Sequence, residues 1–395
     1  MTSLDQQPTN NIWPYYAEDE LDAVCAVLRS GNVNYWTGDE CRLFEREFAE
    51  FVGMPHGVAL ANGSVALELA LRAFDIGPGD EVIVTPRSFI ASASCAALVG
   101  ATPVFADVDA DSQNITAETI EAVITPRTKA IVAVHLAGWP CEMDDIAELA
   151  DRCGLKLIED CAQAHGAEYR GRRVGSFGDA AAFSFCQDKI ISTGGEGGML
   201  LLRDEAAWKR AWAYKDHGRD YDAVYHENHP PGHRWLYRGI GTNWRMTEIQ
   251  GAIGRIQLRK LPDWLDRRRS HAAILRDGLS GLSGLRVPSP EQYLKPAYYR
   301  FYAFILPEKL RQGWSRDLLV EEVANSGVPC FQGSCGEIYR EQAFAGMALA
   351  DSKRLPVARQ LHDTSLSFLV HPTLGDDEMK HALTVISRIV SSALS

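Results

Sequence analysis

From about Gly57 to Leu202, short apolar runs alternate with helical stretches, and the runs are apolar throughout rather than at every second residue. Strands of that kind are buried on both faces, so the pattern predicts an α/β fold with a mostly parallel sheet covered on both sides by helices. Val58-Ala-Leu60 leads into an amphipathic segment, Ser64 to Phe74, closed by Gly77-Pro-Gly79. Glu81-Val-Ile-Val-Thr85, an Ala-rich helix after Phe89, and Thr102-Pro-Val-Phe-Ala106 follow. Thr128 to His135 reads as a further buried strand, and Glu142 to Arg152 as a helix stopped by Gly154. Leu155-Lys-Leu-Ile158 is the next strand, ending in Glu159-Asp160. After Met199-Leu-Leu-Leu202 the pattern changes. Helices are expected over Glu205 to Tyr214 and Met246 to Leu261, separated by a Gly-, Pro- and His-rich stretch from Asp216 to Gly241. That stretch is too long for a simple connector and reads as a functional or interface loop. From Asp263 a second unit is expected: a basic helix, a strand over Phe301 to Leu306, a helix capped near Ser315, and a C-terminal helix from Asp376.

A chain of 395 residues accommodates two or three domains, or one large domain with a satellite. Its 40 Lys and Arg stand against 52 Asp and Glu, a net charge of −12, and the longest basic run is Arg267-Arg268-Arg269. Nonspecific nucleic-acid binding needs clustered cations, so that class is set aside. Met1 to Asn11 has neither a basic start nor an apolar core, and no secretory signal is read there. Ser88 to Ala106 is uncharged, but Gly100-Ala-Thr-Pro103 interrupts it, so a helix, turn and strand are expected rather than a membrane span. Nine cysteines lie scattered without a Cys-x-x-Cys pair. Neither a disulfide framework nor a zinc site is expected, and a cytoplasmic location fits.

In an open parallel sheet, ligands gather at the carboxyl ends of the strands. Ala61-Asn62-Gly63-Ser64-Val65 places small polar residues at the opening of a helix, a backbone and hydroxyl cradle for an anion such as phosphate. The plain alternative is an ordinary N-cap at Ser64. Glu159, Asp160 and Gln163 follow one strand. Ala180 to Phe185 leads another into Cys186-Gln187-Asp188-Lys189, with Gly194-Gly-Glu-Gly-Gly198 beyond. The glycine run lacks the G-x-G-x-x-G fingerprint after the first strand, which argues against a nicotinamide-dependent oxidoreductase. A phosphate cradle, a strand-end carboxylate and a strand-end lysine together meet the needs of pyridoxal 5′-phosphate. The lysine forms the imine, and the carboxylate keeps the pyridine nitrogen protonated.

The chain resembles the sugar-nucleotide aminotransferases of the DegT/DnrJ/EryC1/StrS family, of pyridoxal phosphate fold type I. The resemblance covers nearly the whole length. It rests on Asn62-Gly63-Ser64 before Ala66-Leu67, Gly77-Pro-Gly-Asp-Glu-Val82, Pro86-Arg-Ser-Phe89 and His135-Leu-Ala-Gly138. It continues through Glu159-Asp160 with Ala162-Gln163 and Gly166, Phe183-Ser-Phe185 with Lys189, and Asn243-Trp-Arg-Met246 with Glu248 and Gln250. It implies a large domain, 12–260, with a mostly parallel seven-stranded sheet in a three-layer α/β/α arrangement. A smaller α+β domain, 261–395, would follow, with N-terminal residues packing on it. By the resemblance, Lys189 is the Schiff-base lysine and Asp160 the partner of the pyridinium nitrogen. Gln163 would bond the phenolic oxygen, and Phe89 would stack on the ring. Gly63, Ser64 and Ser184 would hold the phosphate. Asn243 would reach it from the neighbouring subunit, which makes a homodimer with shared sites. No metal is implied. For Phe89 the alternative is core packing, and for Asn243 the turn bonds of a loop amide.

The implied reaction moves the amino group of L-glutamate, through the pyridoxamine form of the cofactor, to a nucleotide-linked keto-deoxysugar for amino-sugar biosynthesis. A 4-keto-6-deoxyhexose is the first choice of acceptor and a 3-keto sugar the next. Trp36 and Thr37 resemble a segment near the substrate, although a turn at Gly38 explains them equally well. Lys215, His217, Arg219 and Arg245 offer positive charge for a diphosphate, or are solvated loop charges. The sugar dehydratases of the same family carry histidine where Lys189 stands, and a non-catalytic regulator would need an added domain or a lost catalytic group. Val328 to Tyr339 and Cys186-Gln187-Asp188 depart from the commonest family versions, which bears on the sugar rather than on the cofactor.

Overall fold

The computed structural model describes residues 12–228, 234–346 and 354–394. Its principal strands are β1 (His56–Leu60), β2 (Glu81–Val84), β3 (Thr102–Phe105), β4 (Thr128–Val134) and β5 (Lys156–Asp160). A short hairpin, β6 (Glu168–Tyr169) and β7 (Arg172–Arg173), precedes β8 (Ala180–Ser184) and β9 (Gly198–Leu202). Seven of these make one sheet in the order β1-β9-β8-β5-β4-β2-β3. Pairing from β8 across to β3 is parallel, and only β9 runs antiparallel to its two neighbours.

The uninterrupted apolar strands follow from burial on both faces. Successive side chains point to opposite sides of a strand. On one side Val58, Leu60, Ala180, Ala182, Leu200 and Leu202 pack with α3 (Gly63–Ala73), α4 (Ala91–Leu98) and α7 (Glu205–Lys215). On the other, Ala59, Ala181, Phe183, Met199 and Leu201 pack with α2 (Glu40–Val52) and α9 (Glu248–Leu279). Farther along that face Ile83, Ile131, Ala133 and Leu157 pack with α6 (Met143–Cys153). The result is a three-layer α/β/α body. The peripheral helices are α1 (Glu18–Ser30), α5 (Ala117–Glu121) and α8 (Tyr221–Tyr225). The last of these gives the expected loop a helical turn of its own; residues 229–233 of that loop lie outside the described residues.

One expectation is corrected. The break read between Leu261 and Asp263 does not exist: α9 runs continuously through Pro262. Proline removes one helical hydrogen bond and kinks a helix interior. Here Leu258, Leu261, Trp264, Leu265, Ala272 and Leu275 form a buried stripe on both sides of it, and packing carries the helix through. The expected division at residue 260 falls within this helix; 12–260 and 261–395 stand as proposed units that share it.

Beyond α9 come β10 (Leu285–Arg286), β11 (Leu294–Lys295), β12 (Phe301–Ile305), β13 (Cys330–Phe331) and β14 (Ser365–Phe368). Four of them form an antiparallel sheet, β10-β12-β14-β13, whereas β11 joins the β6–β7 hairpin. The four-stranded sheet buries its apolar face against the end of α9, α10 (Arg316–Asn325) and α12 (Asp376–Ala393). A shorter helix, α11 (Pro356–Thr364), packs on its opposite side. The N-terminal arm reaches the same region. Trp13 meets Trp264 edge-on with ring centroids 5.0 Å apart, and Thr373 donates to the Ile12 carbonyl. Among the described residues no helix is long and apolar enough to cross a membrane, and none of the nine cysteines forms a disulfide.

Candidate active site

The carboxyl ends of β1, β2, β4, β5 and β8 deliver the cofactor-type residues to one edge of the sheet. At the first of these, α3 starts two residues earlier than a Ser64 cap would require. Asn62 is the N-cap, its Oδ1 accepting from Val65 N–H at 3.0 Å. Gly63 and Ser64 therefore lie inside the first turn, where backbone N–H groups have no intrahelical acceptor and the helix dipole is positive. Ser64 is exposed, and Gly63 is buried against the end of β8. A Cβ added to Gly63 would stand 2.6 Å from the Ser184 Cβ. Only glycine permits this approach, which puts a serine hydroxyl beside a helix start and makes a cradle fit for phosphate.

Asp160 closes β5 and is buried. Its Oδ2 accepts from Ser92 Oγ at 2.7 Å and its Oδ1 from Ala162 N–H at 3.1 Å. Burial pushes this carboxyl above its usual range, while the Ser92 and Ala162 bonds and the charge of Lys189 oppose the rise. A protonated ring nitrogen would supply the cation that such a buried carboxylate wants. Lys189 sits in the turn after β8, its Nζ 3.9 Å from Asp188 and 4.8 Å from the centre of the Tyr299 ring. Its backbone carbonyl accepts from Trp13 Nε1 at 2.8 Å, so the N-terminal arm braces the lysine turn. Gln163 is buried, and its Oε1 accepts from Ala137 N–H at 2.7 Å. Phe89 is 62% exposed at the start of α4. That excludes core packing and leaves its face open to a flat ring.

Glu159, next to Asp160, does a different job. Its carboxylate is fully buried and accepts from His135 Nε2 at 3.0 Å, and from the N–H groups of Gly175, Phe177 and Gly178 at 2.6, 2.7 and 2.8 Å. His135 Nδ1 accepts from Cys141 N–H, which leaves the histidine proton on Nε2. With Cys161, these groups bring metal-ligand atoms within 4.8 Å of one another. The lone pairs of Glu159 and of His135 Nδ1 are already committed to N–H donors, so the pair is a polar knot that clamps the turn before β8.

The residues expected at the substrate divide into two groups. Arg219 lies over the Trp36 ring at 4.5 Å and pairs with Asp216, which also binds Arg245. A buried carboxylate thus holds the two arginines together. Thr37 serves the local turn, donating from Oγ1 to the Asn34 carbonyl. His217 and Asn243 are exposed. The Asn243 amide oxygen accepts a 3.4 Å bond from Arg245 N–H, the turn bond of a loop amide. Trp244 carbonyl accepts from Ala61 N–H, which ties this segment beside the start of the cradle. Lys215 is a correction. It is no loop cation for a diphosphate but is fully buried, 3.4 Å from Glu45 and 3.5 Å from the centre of the Tyr35 ring.

Sequence reasoning did not select Trp13, Ser92, Tyr299 or Arg300. Ser92 had one usable signal, its place one helical turn past Ser88 at the start of an Ala-rich helix. The others reach Lys189 only through pairings across more than a hundred residues of chain.

The model of the DegT/DnrJ/EryC1/StrS aminotransferase family matches residues 14–387. The chain is 42% identical to GDP-perosamine synthase of Caulobacter vibrioides, over 88% of this chain and 89% of that protein. Its fold superposes on an aminotransferase from Psychrobacter cryohalolentis with a TM-score of 0.95 and 53% identity, covering 97% and 99% of the two chains. The PLP form of Spr1654 from Streptococcus pneumoniae superposes with a TM-score of 0.85 at 25% identity, covering 97% and 98%. With the fold, the mouth of the sheet and this match in agreement, the chain belongs to the DegT/DnrJ/EryC1/StrS aminotransferase family.

Proposed function

We propose that the protein is a pyridoxal 5′-phosphate-dependent aminotransferase that moves the amino group of L-glutamate onto a nucleotide-linked keto-deoxysugar, a 4-keto-6-deoxyhexose by preference. The observation that carries this reading is the convergence of Lys189, the buried Asp160 and the Gly63–Ser184 cradle at one edge of the sheet. When bound, the cofactor supplies an electron sink that makes a proton on the substrate carbon labile. The chain does the rest. Asp160 holds a proton on the ring nitrogen, with Ser92 fixing the carboxylate. Lys189 Nζ takes the labile proton and returns it. Phe89 would cover one face of the ring, and Gln163 would hold its oxygen. GDP-perosamine synthase, among the relatives, supports a sugar nucleotide as acceptor. The lysine at position 189 supports amino transfer rather than dehydration.

The active unit in this reading is a cytoplasmic homodimer whose Asn243 reaches the phosphate of the neighbouring site, with Trp36, Thr37, His217, Arg219 and Arg245 near the nucleotide sugar. Stopped-flow mixing tests the donor and the acceptor in turn. L-Glutamate should discharge the visible absorbance of the cofactor, and an NDP-4-keto-6-deoxyhexose should restore it. Turnover of simple 2-oxo acids with no response to any nucleotide ketosugar would make it an amino-acid aminotransferase instead. Mixing inactive Lys189→Ala and Asn243→Ala subunits should regain activity, because one site of each heterodimer then has both groups.

A further inference from the structure

The wall of the site that faces Lys189 from the second sheet is positive and carries no matching acid. Tyr299 and Arg300 lie immediately before β12. The Tyr299 ring centre is 4.8 Å from Lys189 Nζ and 5.3 Å from the Arg300 guanidinium carbon. The two cations therefore share one ring. The Phe331 ring centre lies 4.9 Å from the same carbon, so the guanidinium rests against two aromatic rings. Its Nη1 is buried without a hydrogen-bond partner. Behind it stands Arg268, 1% exposed, with Nε and Nη2 also unpartnered and the Trp13 ring 5.0 Å from its guanidinium carbon. Burial drives Arg268 down to about 9 and the nearby His371 down to about 3, and in both Arg300 adds to the effect. Among the described residues no carboxylate pairs with either arginine; Asp188 is engaged with Tyr299 Oη and Lys189.

The backbone sets this wall against the cofactor-type residues. Tyr299 N–H donates to the carbonyl of Ala137, the residue whose own N–H is held by Gln163. Ala137 and Tyr298 both adopt positive φ, 56° and 49°, so two strained non-glycine residues lock the junction. Arg268 Nη1 donates to the Tyr298 carbonyl, but the remaining buried N–H groups without a partner are costly, and an anion that docks against them gains what they lack. The planar fork of arginine matches a carboxylate in two parallel bonds.

We propose that Arg300, with Arg268 behind it, anchors a carboxylate of the amino donor, an assignment that rests on the glutamate-dependent reading above. The test uses glutarate, which has both carboxylates of the donor but no amine, so calorimetry on the holoenzyme reads binding without turnover. Arg300→Gln should weaken glutarate at least about tenfold, the lower end of what a hydrogen bond to a charged group contributes. Arg300→Lys should recover part of that loss, and both variants should keep the cofactor absorbance and melting temperature of the wild type. In stopped flow, Arg300→Gln should raise the L-glutamate concentration needed for half-maximal rate and leave the reaction of the pyridoxamine form with the ketosugar within twofold. Glutarate binding within twofold of wild type would overturn the assignment. So would a defect confined to the ketosugar step, which would put the carboxylate on the acceptor. A wild-type enzyme that ignores L-glutamate but reacts with another donor fails the donor reading, and glutarate calorimetry then shows separately whether Arg300 binds carboxylates.

Discussion

Replacing Glu159 by Gln tests whether the buried knot beside Asp160 is structural. The native carboxylate accepts four hydrogen bonds, two on each oxygen: Gly175 N–H and His135 Nε2 on Oε2, Phe177 and Gly178 N–H on Oε1. Glutamine keeps one carbonyl oxygen and turns the other into an NH2 group. Whichever way the amide is placed, two donors then face a donor. Bonds to a charged acceptor contribute about 1.5–3 kcal/mol each, so losing two costs about 3–6 kcal/mol. Against a total stability of about 5–15 kcal/mol, that shift is large. Urea unfolding of the cofactor-free protein should show a lower midpoint with an unchanged slope. The pH dependence has a definite sign. Burial pushes the Glu159 carboxyl up, but the bond from His135 and those from Gly178 and Gly175 outweigh it and hold the group below its ordinary value. A carboxyl depressed in the folded state stabilises fully above its unfolded pKa, about 4.3, and loses that contribution as pH falls through the folded value. The gap between wild type and Glu159→Gln should therefore be constant at neutral pH and shrink below about pH 4. A destabilisation under about 1 kcal/mol at pH 7 would refute the reasoning.

Three further outcomes follow from the geometry. Gly63→Ala should bring a methyl against Ser184, an overpacking of about 1–3 kcal/mol that lands on the phosphate cradle, so cofactor affinity measured by equilibrium dialysis should fall; unchanged affinity would show that the cradle lies elsewhere. Ser92→Ala removes a donor that opposes the upward push of burial on Asp160, so the acid limb of the pH–rate profile should move to higher pH, and an unmoved limb would separate Ser92 from the chemistry. Lys215→Met strands the Glu45 carboxylate and should cost about 3–5 kcal/mol by chemical denaturation, with Lys215→Met/Glu45→Gln recovering much of it; simple additivity of the two changes would mean the pair is not coupled.

Much of this protein is legible in its sequence because the relevant information is local. Continuous apolar runs announced strands buried on both faces, and Ser315 and Gly154 marked a helix start and a helix end within single turns. The strand-end rule selected Asp160, Lys189, Ser184 and Gly63 together, since a parallel sheet sends all its carboxyl ends to one edge. Local reading erred in two places: packing carried α9 through Pro262, and the α3 cap lay at Asn62, itself a good capping residue, rather than at Ser64.

What the sequence could not tell apart was residues of one chemical type with different partners. Glu159 and Asp160 are neighbours, yet one is a sealed structural knot and the other opens to the site. Lys215 and Lys189 both stand close to an element end, but one is buried against Glu45 and the other lies near the Tyr299 ring. These fates were decided by contacts such as Ser92 with Asp160, Trp13 with Lys189, and Arg300 with Tyr299 and Phe331. Composition and periodicity determine which face of an element is buried. The charge state and role of a polar side chain depend on what the fold brings against it from distant parts of the chain, and that is settled only when the layers close.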